Sequence, residues 1–126
     1  MSEMDIRAIV SQANDRWNAA FNRRDAAAVA ALYTPDATVL PHTHAVVKGQ
    51  AAIADFWAGL ISAGIKEHGI ELLDAQAAGD LAYSSGKWWA TGSGEDGKPA
   101  QFEGTIVTIL RKQNDGSWKL CLHTWN

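Results

Sequence analysis

The segment FEGTIVTILRKQNDGSWKLCLHTW, residues 102–125, gives the clearest indication of a fold in this sequence. Residues 102–113 and 117–125 both follow the two-residue period of a β-strand. The Asn-Asp-Gly at 114–116 lies between them and is typical of a tight hairpin turn. The segment therefore predicts two long antiparallel strands.

The two-residue period extends upstream as far as residue 65. Residues 65–76 and 81–91 predict two more strands, and Ala-Gly-Asp at 78–80 predicts the turn that joins them. Residues 92–99 read as a polar, glycine-rich loop. Four consecutive strands with short connections predict an antiparallel sheet.

The first 63 residues have a helical period instead. An amphipathic helix is predicted from its N-cap, Asp5, to residue 21, because apolar side chains recur every three or four positions. A second, short helix is predicted to follow Asp25 and to end before Pro35. Its apolar positions are Val29, Leu32 and Tyr33.

Two short extended pieces, at 36–40 and 46–47, precede a third predicted helix, which begins after Gly49 and ends near Gly64. Three helices followed by a bent antiparallel sheet give an α+β fold with the helices packed on one sheet face. A length of 126 residues suits a single domain spanning 1–126.

The composition argues against several kinds of partner. The formal net charge is −3 and no basic stripe is present, so we expect no binding to nucleic acid. The single cysteine, Cys121, excludes an intrachain disulfide and fits a reducing cytoplasm. Residues 1–5 do not read as a secretory leader, and no apolar window has the length of a membrane span. We therefore expect a soluble, cytoplasmic protein without a membrane partner.

Three segments in this order resemble the nuclear transport factor 2-like superfamily, in particular its ketosteroid-isomerase-like and SnoaL-like members. They are RWNAAFNRRD at 16–25, ALYTPDATV at 31–39 and GQAAIADFW at 49–57. The resemblance implies a cone, in which a strongly curved sheet folds over three N-terminal helices and encloses a deep pocket. Many members pair through the outer sheet face, so the resemblance also implies a homodimer.

The resemblance does not extend to the residues that ketosteroid isomerase uses. That chemistry needs a general-base carboxylate and an oxyanion hole built from a tyrosine and a protonated aspartate. In this chain the tyrosine position is Trp17, the base position is Pro41 and the oxyanion aspartate position is Thr108. Trp17 retains an N–H donor, but proline cannot accept a proton. Classical isomerase activity is therefore not expected.

The last predicted strand carries the strongest candidate for proton transfer. Cys121, His123 and Trp125 are spaced by two, and the resemblance places them on the pocket face, with Thr108 on the neighbouring strand. His123 can act as an acid or a base near neutral pH. The alternative is a histidine that only hydrogen-bonds a neighbour.

His42 and His44 lie in the loop just after Pro41 and are further candidates for proton transfer or ligand contact. A third histidine would complete a metal site, but no ligands with strong spacing accompany them, so we expect no metal and no cofactor. Four aromatic side chains are expected to form pocket walls, with core packing as the alternative reading: Trp17, Tyr33, Trp57 and Trp88.

Trp88 and Trp89 are adjacent on a predicted strand, so they point to opposite faces. One is expected to enter the pocket or the core. The other is expected to lie on the outer face, where a large aromatic ring suggests a covered surface such as a homodimer interface. The sequence leaves open which is which. Glu103 has the opposite parity to Thr108 and is expected to point away from the pocket.

Two functions remain open at this point. The first is a small-molecule-binding domain whose aromatic-lined pocket holds a small apolar or aromatic ligand. The alternative is a cofactor-independent acid–base enzyme, an isomerase, cyclase, dehydratase or hydrolase, acting on a small cyclic apolar substrate. In that reading His123 transfers the proton, His42 or His44 assists, and Trp17 acts as a donor.

Overall fold

The computed structural model describes residues 5–94 and 96–126. Residues 1–4, where no secretory leader is expected, lie outside the described residues, as does Glu95 in the polar loop. The elements are α1 (Ile6–Asn22), α2 (Ala26–Ala30), β1 (Tyr33–Leu40), β2 (Val47–Lys48), α3 (Gln50–Ser62), β3 (Lys66–Ala78), β4 (Leu81–Ser93), β5 (Pro99–Lys112) and β6 (Trp118–Trp125).

The strands form one curved, open sheet in the order β2-β1-β6-β5-β4-β3, and the predicted α+β cone fold is confirmed. The sheet is mixed rather than wholly antiparallel, because β1 pairs in parallel with β6. A parallel pair needs a long connection, which here comprises β2, α3 and the three strands β3 to β5. None of the helices in residues 5–94 and 96–126 is long and apolar enough to cross a membrane.

The second helix is shorter than the sequence predicts, because Leu32 and Tyr33 lie outside it. The backbone N–H of Leu120 donates to the Leu32 carbonyl at 2.9 Å, and Tyr33 already pairs with β6. Pro35 favours an extended residue before it, so the strand conformation extends back from this point. Tyr33 therefore reaches the core from a strand, and its side chain is fully buried.

An irregularity in the β5–β6 ladder changes the expected alternation of β6. Ile109 pairs with Leu122, but the next residue, Leu110, pairs with Leu120, so Cys121 is an extra residue without a partner. Such a bulge shifts the in–out pattern by one position. Leu120 is consequently buried with the core cluster, and Cys121 does not share the inward face of His123 and Trp125.

A second irregularity lies at the start of β3. Lys66 pairs with Thr91 and Gly69 with Trp89, so two residues, Glu67 and His68, lie opposite one. Glu67 has a left-handed backbone, with φ of 53°. A bulge of this kind changes the direction of the side chains next to it. His68 is brought against the concave side of the sheet, where it meets the aromatic rings of α1.

Candidate functional site

A cavity of about 270 Å³ lies between α3 and the concave side of the sheet. Its wall is built mostly from apolar and aromatic side chains, with three histidines among them. The lining residues are Phe21, Pro41, His42, Thr43, Phe56, Trp57, Leu60, Ile65, His68, Trp88, Ala90, Phe102, Ile106, His123 and Trp125. A cavity of this size holds a small ring compound and little more.

Five of the side chains predicted to form the pocket line this cavity, namely His42, Trp57, Trp88, His123 and Trp125. Trp88 is therefore the inward tryptophan of its pair. Trp89 lies on the outer face and is 40% exposed. Its ring covers Gly69 so closely that a methyl group at that position would collide with it.

The other predicted site residues lie elsewhere. Tyr33 and Trp17 are buried behind the cavity wall rather than lining it. Thr108 is also buried, and its hydroxyl hydrogen-bonds that of Ser84 at 2.6 Å. His44 is exposed and does not line the cavity, and Cys121 lies outside it because of the β6 bulge. Glu103 pairs with Trp89 and lines a groove on the outer face, as its parity indicates.

Three side chains form a hydrogen-bond chain that ends at the cavity. The Trp17 indole N–H donates to the Tyr33 hydroxyl at 3.0 Å, and that hydroxyl is 2.7 Å from His123 Nδ1. The Tyr33 oxygen accepts from Trp17, whose N–H can only donate. The Tyr33 hydroxyl proton therefore has one acceptor among the described residues, His123 Nδ1. The ring proton of His123 then lies on Nε2. Trp17 is thus a donor, as predicted, but to Tyr33 rather than to the cavity.

Burial determines the protonation state along this chain. Desolvation, with a smaller contribution from the nearby His68 ring, lowers the pKa of His123 to about 3. Burial also raises the pKa of Tyr33 well above its usual value, against the hydrogen bond from Trp17. Both side chains are therefore neutral at neutral pH. His123 presents a neutral N–H donor, not an imidazolium.

Aromatic rings hold the His123 imidazole on several sides. Trp57 stacks against it at 5.7 Å between ring centroids, and Trp125 lies at 4.9 Å. Trp57 Nε1 is the one fully enclosed side-chain nitrogen or oxygen without a hydrogen-bond partner in the described part of the chain. His123 Nε2 also makes no hydrogen bond there, yet it is not fully enclosed. The residue that carries it lines the cavity.

His68 is a cavity residue that sequence reasoning missed. The Asn22 side chain on α1 forms two hydrogen bonds with the backbone of His68. It accepts from the His68 N–H at 2.8 Å and donates to the His68 carbonyl at 3.1 Å. Asn18, one helical turn earlier, contacts the ring, with Oδ1 2.7 Å from Nδ1. The inward turn depends on the β3 bulge, which a two-residue period does not reveal. The polar Asn18 and Asn22 on the helix face toward β3 were the available signal.

The His68 ring is neutral as well. Burial lowers its pKa to about 4. The ring stacks nearly parallel to Trp88 at 6.0 Å between centroids and lies 4.6 Å from Trp17. Among residues 5–94 and 96–126, no three His, Cys, Asp or Glu side chains come together as a metal site.

A family model described as the SnoaL-like domain matches residues 14–120. No curated protein matches the chain. The solved structure of a ketosteroid isomerase-like protein from Erwinia carotovora atroseptica is 22% identical, with a TM-score of 0.82 over 94% of this chain and 92% of that one. The Aln2 protein of a Streptomyces species is 16% identical, with a TM-score of 0.83 over 100% and 93%.

A nuclear transport factor 2-like superfamily protein from Salmonella enterica serovar Typhimurium is 13% identical, with a TM-score of 0.79 over 96% and 89% of the two chains. At such identities the structural likeness establishes a shared fold and nothing further. The family model, by contrast, covers most of this sequence, and it agrees with the three segments that resemble the superfamily. The chain belongs to the SnoaL-like domain family.

Proposed function

We propose that this protein binds a small apolar ring compound in the cavity and donates a hydrogen bond from His123 Nε2 to an oxygen atom of that compound. The apolar wall supplies affinity by desolvation, and one oriented polar group supplies orientation. The hydrogen bond between the Tyr33 hydroxyl and His123 Nδ1 carries the proposal, because it leaves the ring proton on Nε2, the nitrogen without a partner among the described residues, and His123 lines the cavity.

A matched pair of compounds tests the proposal. Tetralone and tetralin share one bicyclic skeleton, but only tetralone has a carbonyl oxygen. We expect tetralone to bind the wild-type protein about threefold to tenfold more tightly, the range for one neutral hydrogen bond. The emission of the cavity tryptophans reports binding. His123→Phe is expected to make the two affinities equal, whereas His44→Gln, outside the cavity, leaves the difference intact. Equal affinities in the wild type would contradict the proposal.

Acid–base catalysis is the second candidate function, and it is supported by the presence of His42 and His123 on one cavity. The low pKa of His123 makes it a weak base, so we rank catalysis behind binding. The test is deuterium exchange at the carbon next to the tetralone carbonyl, followed by NMR in deuterated water. Exchange that the protein accelerates and His42→Gln abolishes would favour the enzyme.

The outer sheet face suits self-association. Trp89, Tyr83 and Val107 are each about half exposed on neighbouring strands β4 and β5. An uncovered patch with two aromatic rings costs free energy that burial against a second copy recovers. We propose a homodimer through this face, and the charged side chains Glu71, Lys87 and Glu103 around Trp89 would set its register.

A further inference from the structure

We infer that the cavity recognises two polar groups of its ligand. An oxygen atom of the ligand accepts a hydrogen bond from His123, and a second group of the ligand donates one to His68. The preferred ligand is therefore a ring compound that carries both a carbonyl and a hydroxyl group. The inference rests on the proposed function, since it assigns a second polar contact within the same cavity. It makes His68 a specificity-determining residue and Asn18 the positioning residue behind it.

The Nδ1 partner of each histidine sets the role of its other ring nitrogen. An amide oxygen only accepts hydrogen bonds, so the 2.7 Å contact with Asn18 Oδ1 places the His68 proton on Nδ1. In a neutral imidazole the second nitrogen is then an acceptor. His68 Nε2 therefore has a free lone pair, and among the described residues nothing donates to it.

The opposite arrangement holds at His123. Its Nδ1 accepts from Tyr33, so its Nε2 carries the proton and donates. The centroids of the two rings lie 4.6 Å and 5.9 Å from that of the Trp17 indole, and both residues line the same cavity. Apart from His42 and Thr43 in the loop after β1, the wall is mostly apolar, so the two rings supply it with one donor and one acceptor. A ligand with only a carbonyl leaves the His68 lone pair without a partner.

The His68 ring is held firmly enough to distinguish a ligand with a hydroxyl group from one without it. Asn22 fixes its backbone through two hydrogen bonds, Asn18 fixes its ring, and Trp88 stacks on it within 5° of parallel. A preorganised polar group loses little conformational entropy when a ligand binds. A buried acceptor left unpaired also penalises the wrong ligand, which adds to the selectivity.

The test compares tetralone with the set of hydroxytetralones, each with the hydroxyl at a different ring position away from the carbonyl. We expect at least one hydroxytetralone to bind the wild-type protein about threefold to tenfold more tightly than tetralone, and the matching methoxytetralone to lose that gain. His68→Phe is expected to remove the gain while leaving the affinity for tetralone within about twofold. Asn18→Leu, which keeps His68, is expected to reduce it.

The outcomes separate the two proposals. If tetralone binds with a dependence on His123 but no hydroxyl position improves affinity, the inference about His68 is overturned and the proposed function stands. If the wild-type protein binds tetralone no better than tetralin, both are overturned. A hydroxyl gain that survives in His68→Phe also overturns the inference.

Nitrogen NMR of the imidazole rings provides a readout that needs no variant. We expect His68 to carry its proton on Nδ1 and His123 to carry its proton on Nε2 at neutral pH. Asn18→Leu is expected to shift the His68 proton toward Nε2 without changing His123. A wild-type His68 protonated on Nε2 would present a donor to the cavity and refute the inference.

Discussion

Tyr33→Phe is the substitution that tests the centre of the site most directly. It removes one oxygen atom from a fully buried ring and changes little of the packing. Trp17 Nε1 then loses its acceptor, and His123 Nδ1 loses its donor. Each buried polar group left without a partner costs about 1–3 kcal/mol. We therefore expect a loss of about 3 kcal/mol in the free energy of unfolding.

The second tyrosine of the chain provides the control. Tyr83 lies on the outer face, is 47% exposed, and makes only a 3.4 Å contact with Asp74. Tyr83→Phe is expected to change the free energy of unfolding by less than about 0.5 kcal/mol. Urea unfolding at pH 7, followed by circular dichroism, compares the two variants. The dependence of the unfolding free energy on urea concentration is expected to be the same in both variants. The difference in stability therefore appears as a difference in the urea concentration at the midpoint of unfolding.

Tyr33→Phe also frees the ring proton of His123, because nothing then keeps Nδ1 unprotonated. We expect its affinity for tetralone to fall toward that for tetralin, while Tyr83→Phe binds like the wild type. If Tyr33→Phe unfolds at the same urea concentration as Tyr83→Phe, the hydrogen-bond chain does not stabilise the protein. If it is destabilised but keeps its preference for tetralone, Tyr33 does not orient His123.

Three further predictions concern stability and association. In the folded protein the pKa values of His68 and His123 are about 4 and about 3, below the unfolded value of 6.5. The unfolded state therefore binds more protons, and stability is lost as pH falls below about 6.5. We expect a loss of roughly 4 kcal/mol between pH 7 and pH 5 by urea titration, and about half of that loss in His123→Phe. An equal pH dependence in the variant would contradict a neutral His123. Gly86→Ala places a methyl group 2.6 Å from the Glu71 carbonyl oxygen and is expected to cost about 1–3 kcal/mol, whereas Gly59→Ala, with open space around it, does not destabilise the protein. Trp89→Lys is expected to convert the proposed dimer to a monomer, as measured by sedimentation. Val46→Lys, at an exposed position outside the outer sheet face, is expected to leave the dimer intact. A wild-type protein that is monomeric at micromolar concentration would refute the dimer.

Local physics explains why so much of the fold can be predicted from the sequence. The three- and four-residue spacing in α1 and α3, the caps at Asp5 and Asp25, and the turn at 114–116 are properties of short segments. They depend mainly on neighbours in the chain, so a short stretch of sequence is enough to predict them. The boundary of α2 could not be predicted in this way, because β6 pairs with residues that the helical period also suits.

The candidate site depends on tertiary structure to a greater degree. The sequence by itself determined that His123 and Trp125 share a face and that Trp88 and Trp89 do not, since alternation along a strand is local. The bulges that exclude Cys121 and turn His68 inward depend on strand pairing at a distance. The hydrogen-bond partners of the two histidines, Tyr33 for His123 and Asn18 for His68, also depend on the tertiary structure. Those partners decide which ring nitrogen carries the proton, and a proton position is set by the groups that surround a side chain, not by its place in the sequence.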